Sequence, residues 1–254
     1  MKISTLQWNI GGAKIRLPDS DPTNYEIYKQ EGLEHVIAII KECKPDIVTL
    51  QETHASPAFV QAMEVSRQTG LPNKVNCSYD RSHIDKQQDL GQAVLSRFPI
   101  TRYFSTKLLN PKYEITRPNG EFWISHNKGI TECELKIENK TFIVYSLHLI
   151  PFDYFEVNHL GEKAKELRAD IAKKLKIKND CIIQGDFNID SPSLREFMPS
   201  WFSAGLQEIL QDTPTRPKGQ SHDHVLYKGL KLISSKVIES TLTDHFPIYS
   251  EFEI

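Results

Sequence analysis

Residues 181–190, CIIQGDFNID, run through three apolar side chains, turn at Gly185 and then present Asp186, Asn188 and Asp190 in quick succession. The same juxtaposition recurs along the chain. Asn9 closes ISTLQWN, Glu52 follows DIVTLQ, His148 lies near the end of FIVYSLHL, Asp223 opens DHVLY, and Asp244-His245 opens DHFPIYSEF. Taken singly, a strand-end Asp or Asn is an ordinary turn residue satisfying its own backbone. Repetition on so many segments points elsewhere. Carboxylates and amides are hard oxygen ligands for Mg²⁺, and acids and imidazoles beside them are the groups phosphate chemistry requires.

Such residues need rigid elements behind them. Apolar and β-branched runs predict strands over 3–9, 46–51, 91–97, 129–137, 141–149, 181–185, 222–227, 232–238 and 245–253, most of them bounded by Gly, Pro, Asn or Asp. Helical period appears over 31–43, where Leu33, Val36, Ile37 and Ile40 share a face. It recurs more weakly over 57–69 behind Ser56-Pro57, and further helices are expected over 157–176 and from Ser191-Pro192 through Phe197. Several strands follow one another directly, so the pattern predicts two mixed sheets packed face to face with helices outside. With no linker, repeat or low-complexity run, residues 1–254 read as one domain.

Composition narrows the classes. A formal net charge of −2 excludes a polycation built to coat nucleic acid or anionic lipid, so any grip on phosphate must be local. Cys43, Cys77, Cys133 and Cys181 form no C-x-x-C pair and read as reduced thiols of a cytoplasmic protein. No apolar run is long enough to span a membrane.

The motifs WN, LQE, SLHL, GDFN, DHV and DHFPI, in this order from residue 3 to residue 253, resemble those of the endonuclease/exonuclease/phosphatase superfamily, the DNase I-like fold. The resemblance implies a four-layer α/β/β/α sandwich of two mixed β-sheets flanked by helices, with one cleft at the top of the sheets. It also implies a Mg²⁺-dependent phosphodiesterase, with Mn²⁺ as a substitute. On this reading Glu52 is the principal metal ligand, with Asp244 and Asn9 on the metal side. Asp186 orients or deprotonates the attacking water and Asn188 donates to a phosphate oxygen. His245, held by Asp223, contacts the scissile phosphate, and His148 is a second donor or acid. Zinc is an expected poor substitute, because no Cys/His ligand set is offered.

Other residues carry less. Phe152 and Tyr154 directly follow His148 in a loop, where aromatics either anchor the loop or stack on a ligand, and they are taken as candidate substrate contacts. His222 and His224 fall on the strand face opposite Asp223 and are read as packing residues. His54, His83, His126 and His159 stand in no ligand spacing and receive no role. The Lys163–Lys178 run is interleaved with acids and reads as a solvated helix face. For substrate, the expectation is nucleic acid, as a nuclease or DNA-end phosphodiesterase acting as a monomer. A small-molecule or lipid head-group phosphoester is the alternative and a non-catalytic binding module the remote one. The segment after WN, IGGAKIRL, departs from the NGIRA usual in abasic-site endonucleases, whereas GQAVLSRFPI resembles the broader phosphodiesterase and phosphatase branches.

Overall fold

The computed structural model describes residues 1–190 and 193–254. Two six-stranded sheets carry the fold. The first runs in the order β15 (Lys231–Val237), β16 (Ile248–Glu253), β1 (Lys2–Asn9), β4 (Ile47–Ala55), β6 (Asp89–Ser96) and β5 (Asn73–Arg81). The second runs β13 (Gln207–Glu208), β14 (Asp223–Lys228), β12 (Cys181–Asp186), β11 (Lys140–His148), β10 (Gly129–Ile137) and β7 (Ile100–Lys107). Both are mixed: β1 pairs in parallel with β4 and antiparallel with β16, and β12 in parallel with β11 and antiparallel with β14. Two small hairpins lie apart from them, β2 (Lys14–Ile15) with β3 (Gln30–Glu31), and β8 (Glu114–Thr116) with β9 (Phe122–Ile124).

Three apolar clusters define the layers. Helices α1 (Leu33–Cys43) and α2 (Gln61–Thr69) bury Val36, Ile37, Ile40, Ala62 and Val65 against Leu6, Trp8, Val48 and Leu50 of the first sheet. Helices α3 (Lys165–Lys174), α4 (Ser193–Phe197) and α5 (Pro199–Ser203) do the same on the second sheet, against Ile143, Tyr145, Cys181 and Ile183. Between the sheets lie Ile3, Ile47, Val94, Cys133, Val144, Ile182, Val225 and Phe252. The Cys181–Ile183 run is thus buried on both faces, with Ile182 toward the other sheet and its neighbours toward the helices. This is the α/β/β/α sandwich expected from the motifs.

The inner faces grade from apolar to polar along the strands. On β1 the side chains facing the second sheet are Ile3, Thr5, Gln7 and Asn9, in that order, all of them buried. On β4 they are Ile47, Thr49 and Gln51; on β11 Val144, Ser146 and His148; on β12 Ile182, Gln184 and Asp186. Antiparallel β14 runs the other way, from Asp223 to Val225, so its charged end meets the same edge. One end of the inter-sheet layer is hydrocarbon and the other is ionisable. Buried hydrogen bonds link Gln7, Gln51, Ser146 and Gln92 in the zone between them, although the Thr5 and Thr49 hydroxyls and the Gln184 amide there have no partner among the described residues.

The structure departs from the expected elements at several places. Strands β5 and β7 were not anticipated, and β7 is a largely exposed edge. Ser56-Pro57 does not start a helix: Ser56 N–H donates to the Phe59 carbonyl in a turn, and α2 begins at Gln61. The helix expected over 157–176 shrinks to Lys165–Lys174 behind a short 3₁₀ turn. Ser191-Pro192 lies outside the described residues.

Candidate active site

Glu52 is the extra residue in a β-bulge. The β4–β6 ladder pairs Gln51 with Gln92 and Thr53 with Gly91, leaving Glu52 unpaired, with φ of 55°. A left-handed backbone is unfavourable for a residue with a Cβ, by roughly 1 kcal/mol or more. A regular strand would have turned position 52 toward the helices; the bulge turns its carboxylate into a cavity between the sheet ends. Its ion-pair partners are Lys128 Nζ at 3.6 Å and His148 Nε2 at 3.8 Å, neither close enough for a hydrogen bond. Burial would raise the Glu52 pKa, but Lys128 and the surrounding histidines outweigh it and hold the carboxyl below its usual range. Glu52 is therefore an ionised carboxylate pointing into open space.

GDFN closes β12. A Cβ at Gly185 would lie 1.8 Å from the Leu147 carbonyl oxygen, so only glycine lets β11 and β12 approach here. Register then places His148, Asp186 and Asp223 side by side on three adjacent strands. Asp186 is anchored twice: Oδ1 accepts the Asn188 backbone N–H at 2.9 Å, and Oδ2 accepts Asn9 Nδ2 at 2.9 Å. Burial first, and the Asp223 charge second, push its pKa up. Asn188 has a positive φ of 51°, and its Nδ2 donates to the Leu149 carbonyl at 3.0 Å. One of its two amide hydrogens is thus committed to the scaffold.

Asp223 and His245 meet as expected, with His245 Nδ1 2.7 Å from Asp223 Oδ2. Behind the pair, Gln7 Nε2 donates to Asp223 Oδ1 at 2.9 Å and to Gln51 Oε1 at 2.9 Å, tying the dyad to the other sheet. Trp8 of the WN motif donates Nε1–H to the His245 carbonyl at 3.0 Å and so fixes the turn that carries Asp244 and His245. Burial disfavours the imidazolium, but Asp223, helped by Asp244 and Asp186, raises the His245 pKa to about 9. His245 Nε2 faces Asp186 Oδ2 at 3.8 Å. His148 behaves oppositely: burial, then Lys128, hold its pKa well below normal, so it is neutral.

Asn9, Glu52, His148, Asp186, Asn188, Asp244 and His245 line one cavity of about 210 Å³, with Asp223 directly behind His245. Two sequence expectations need correction here. Phe152 is fully buried, ringed by Tyr113, Phe197 and His159, and anchors its loop instead of meeting a ligand. His83 and His126, given no role, line the cavity, as do Arg117, Trp123, Lys128 and Arg216. Tyr154 does reach the wall.

Lys128 is the least expected of these. It is buried, one residue before β10, with Nζ 2.9 Å from His148 Nε2. Burial pulls its pKa down, and Glu52 and Asp186 partly offset this. Arg216 stacks 4.6 Å over the Tyr25 ring and reaches Asp244 Oδ2 at 3.4 Å. The cavity thus has two cationic walls around a carboxylate floor, a charge pattern suited to a phosphoryl group between them.

Two groups of side chains could hold a cation. Asp186, Asp223 and His245 bring ligand atoms within 4.8 Å of one another, but Asp223 is spent on His245 and Gln7. Glu52, Asn9 and Asp244 offer the other, with the hard oxygen donors that Mg²⁺ prefers. Asn9 Oδ1 already accepts the Gly11 N–H at 3.0 Å and Asp244 Oδ2 faces Arg216 at 3.4 Å, whereas Lys128 and His148 stand 3.6 and 3.8 Å from Glu52.

The comparisons agree with this architecture. A model of the endonuclease/exonuclease/phosphatase family matches residues 6–245. A UPF0294 protein of Vibrio cholerae serotype O1 is 26% identical over 139 residues, which are 53% of this chain and 48% of that protein. A UPF0294 protein of Vibrio vulnificus is 27% identical over 139 residues, again 53% of this chain and 48% of that protein. The chain thus spans about half the length of the curated relatives it matches. Among solved structures, an endonuclease/exonuclease/phosphatase from Beutenbergia cavernae DSM 12333 superposes with a TM-score of 0.76 at 16% identity, covering 100% of this chain and 72% of that one. The human Nocturnin catalytic domain, solved with a bound sulfate anion, gives 0.67 at 17% identity, covering 99% and 93%. D. rerio TDP2, humanized by 14 mutations, gives 0.61 at 14%, covering 100% and 99%. At these identities the structural likeness is one of fold, and the family model carries the assignment: the chain belongs to the endonuclease/exonuclease/phosphatase family.

Proposed function

We propose that this protein is a Mg²⁺-dependent phosphodiesterase acting on nucleic acid. The observation that carries the reading is the convergence, in one cavity, of the ionised Glu52 carboxylate, a doubly anchored Asp186 and an Asp223–His245 pair. Members of the family are generally phosphoester hydrolases, and a solved D. rerio TDP2 carries a single-strand DNA product.

Glu52, Asn9 and Asp244 would hold the cation, which neutralises phosphate charge and polarises a phosphoryl oxygen. The chain's own residues do the rest. Asp186, with a raised pKa and no free rotation, receives the proton of the attacking water. The remaining Asn188 amide hydrogen, Lys128 Nζ and His245 Nε2–H donate to oxygens on which charge builds up. Neutral His148 steadies Lys128. Four free cysteines suit a reducing compartment such as the cytoplasm. No helix among the described residues is long and apolar enough to cross a membrane.

The test is a hydrolysis panel of single-stranded DNA, RNA, plasmid DNA, a 5′-tyrosyl DNA, a phosphoinositide and bis-p-nitrophenyl phosphate. Cleavage of a nucleic acid is expected in Mg²⁺ or Mn²⁺ and not in EDTA, and full activity after rigorous chelation would overturn the metal role. Glu52→Gln should raise the Mg²⁺ concentration for half-maximal activity by at least about tenfold, the loss typical of removing a group that merely supports a ligand. Cleavage confined to the phosphoinositide or another small ester would replace nucleic acid as the substrate.

A further inference from the structure

The geometry points to a stacking subsite for an unpaired nucleobase beside the catalytic cavity, built on the β8–β9 hairpin. The inference rests on the phosphodiesterase reading and assigns it a substrate feature, single-strandedness. The hairpin stands outside both main sheets and pairs Ile115 with Trp123. Trp123 lines the catalytic cavity and also an adjoining one of about 770 Å³, and His83 and His126 are likewise common to both. The second cavity is further lined by Phe122, Lys86 and Lys112. Phe122, next to Trp123 on the hairpin, is 61% exposed and so is open to a ligand in that cavity.

The indole is held in place. It meets the His83 ring at 5.9 Å and 69° and the Tyr154 ring at 5.8 Å and 66°. The Arg117 guanidinium sits 4.7 Å from the centroids of both Trp123 and Tyr154. His83 and His126 lie 5.1 Å apart with their planes inclined by 34°. Rings fixed before binding lose little conformational entropy when a ligand stacks on them. A phosphodiester in the catalytic cavity therefore places its next nucleoside among these rings, with Lys86 and Lys112 near the continuing backbone. Bases have π-faces to offer only when they leave the duplex, so the subsite selects single strands or frayed ends. A net charge of −2 also gives the chain no overall positive charge with which to track a duplex.

The experiment compares two oligomers of equal length in Mg²⁺, one of thymidylates and one of tetrahydrofuran abasic units with the same phosphodiester backbone. The thymidylate oligomer is expected to show a kcat/KM about tenfold or more above the abasic one, and Trp123→Ala should collapse that ratio. Phe122→Ala, at an exposed position, should lower it as well and serves if the indole variant does not fold. An independent readout needs no variant: Trp8 and Trp201 are buried at 0% and 2% exposure, so quenching of wild-type fluorescence by a phosphorothioate thymidylate oligomer, and not by its abasic counterpart, reports on Trp123. Equal cleavage of both oligomers, with no quenching, overturns the subsite and leaves the phosphodiesterase standing. Cleavage of neither oligomer, with no quenching, also overturns the subsite, and the phosphodiesterase reading then falls only if every other ester of the hydrolysis panel is left intact as well.

Discussion

Replacing His245 by alanine is expected to lower kcat by roughly a hundredfold or more, Asp223→Asn to cost a similar factor, and the double variant to cost little beyond His245→Ala. The reason is the 2.7 Å pairing of His245 Nδ1 with the charged Asp223 Oδ2, which sustains the imidazolium and only in that way leaves Nε2 protonated toward the cavity. In Asp223→Asn the introduced carbonyl can keep the Gln7 bond, which turns an amide N–H against His245 Nδ1. Nδ1 then accepts and Nε2 keeps its proton, but the charge that sustains the imidazolium is gone, and with it the positive charge offered to the phosphate. His245 has its pKa raised to about 9, so the limb of the kcat/KM profile that reports its deprotonation should lie on the alkaline side and move to lower pH in Asp223→Asn. Stability follows the same sign. A raised folded pKa gives a contribution fully present below about 6.5, the unfolded value, and lost as pH rises through about 9. The melting difference between wild type and Asp223→Asn should therefore be largest in mild acid and shrink toward pH 9. The measurements are kcat, kcat/KM and melting temperature against pH for all four proteins. Penalties that simply multiply would mean that the two residues act independently.

Asp186→Asn should likewise cost on the order of a hundredfold or more in kcat with little change in KM, as expected for a group acting on the attacking water. Both of its oxygens accept N–H groups, from Asn188 and from Asn9, so the new amide must set one donor against another. That mismatch costs about 1–3 kcal/mol of stability. Turnover must therefore be measured well below the variant's melting temperature. A loss confined to KM, at full folded fraction, would show that Asp186 binds substrate without assisting the chemistry.

Much of the fold was legible because alternation and apolar runs report burial directly. Cys181–Ile183 could only be a doubly covered strand, and α1 shows its buried stripe at Val36, Ile37 and Ile40. Strand β7 escaped because an edge strand with Arg102, Tyr103 and Phe104 all exposed obeys no inside–outside rule. Strand β5 escaped because only Val75, Cys77 and Tyr79 mark its buried face. Strand-end chemistry was legible for the same reason as the strands: Asn9, His148, Asp186 and Asp223 sit at register positions that the ladders bring to one edge. Lys128, Arg117, Arg216, His83 and His126 reach the cavity from loops, where no periodicity says which way a side chain points. A signal for the edge itself was present in the succession Ile3, Thr5, Gln7, Asn9, whose polarity rises toward one end. Phe152 was misassigned because an aromatic after a functional motif looks the same in sequence whether it stacks on a ligand or on Tyr113 and Phe197.

The bulge at Glu52 has an evolutionary consequence. Ladder pairing resumes at once on either side of it, Gln51 with Gln92 and Thr53 with Gly91, and the parallel pairing with β1 has already ended at Gln51. Loss of this single codon would therefore leave every recorded ladder partner in place and remove one strained φ together with one cavity-facing charge. If Glu52 is the metal ligand proposed above, one in-frame deletion would remove it at little expected cost to the sheet. Selection for hydrolysis, and not for folding, is what would keep the extra residue in the strand.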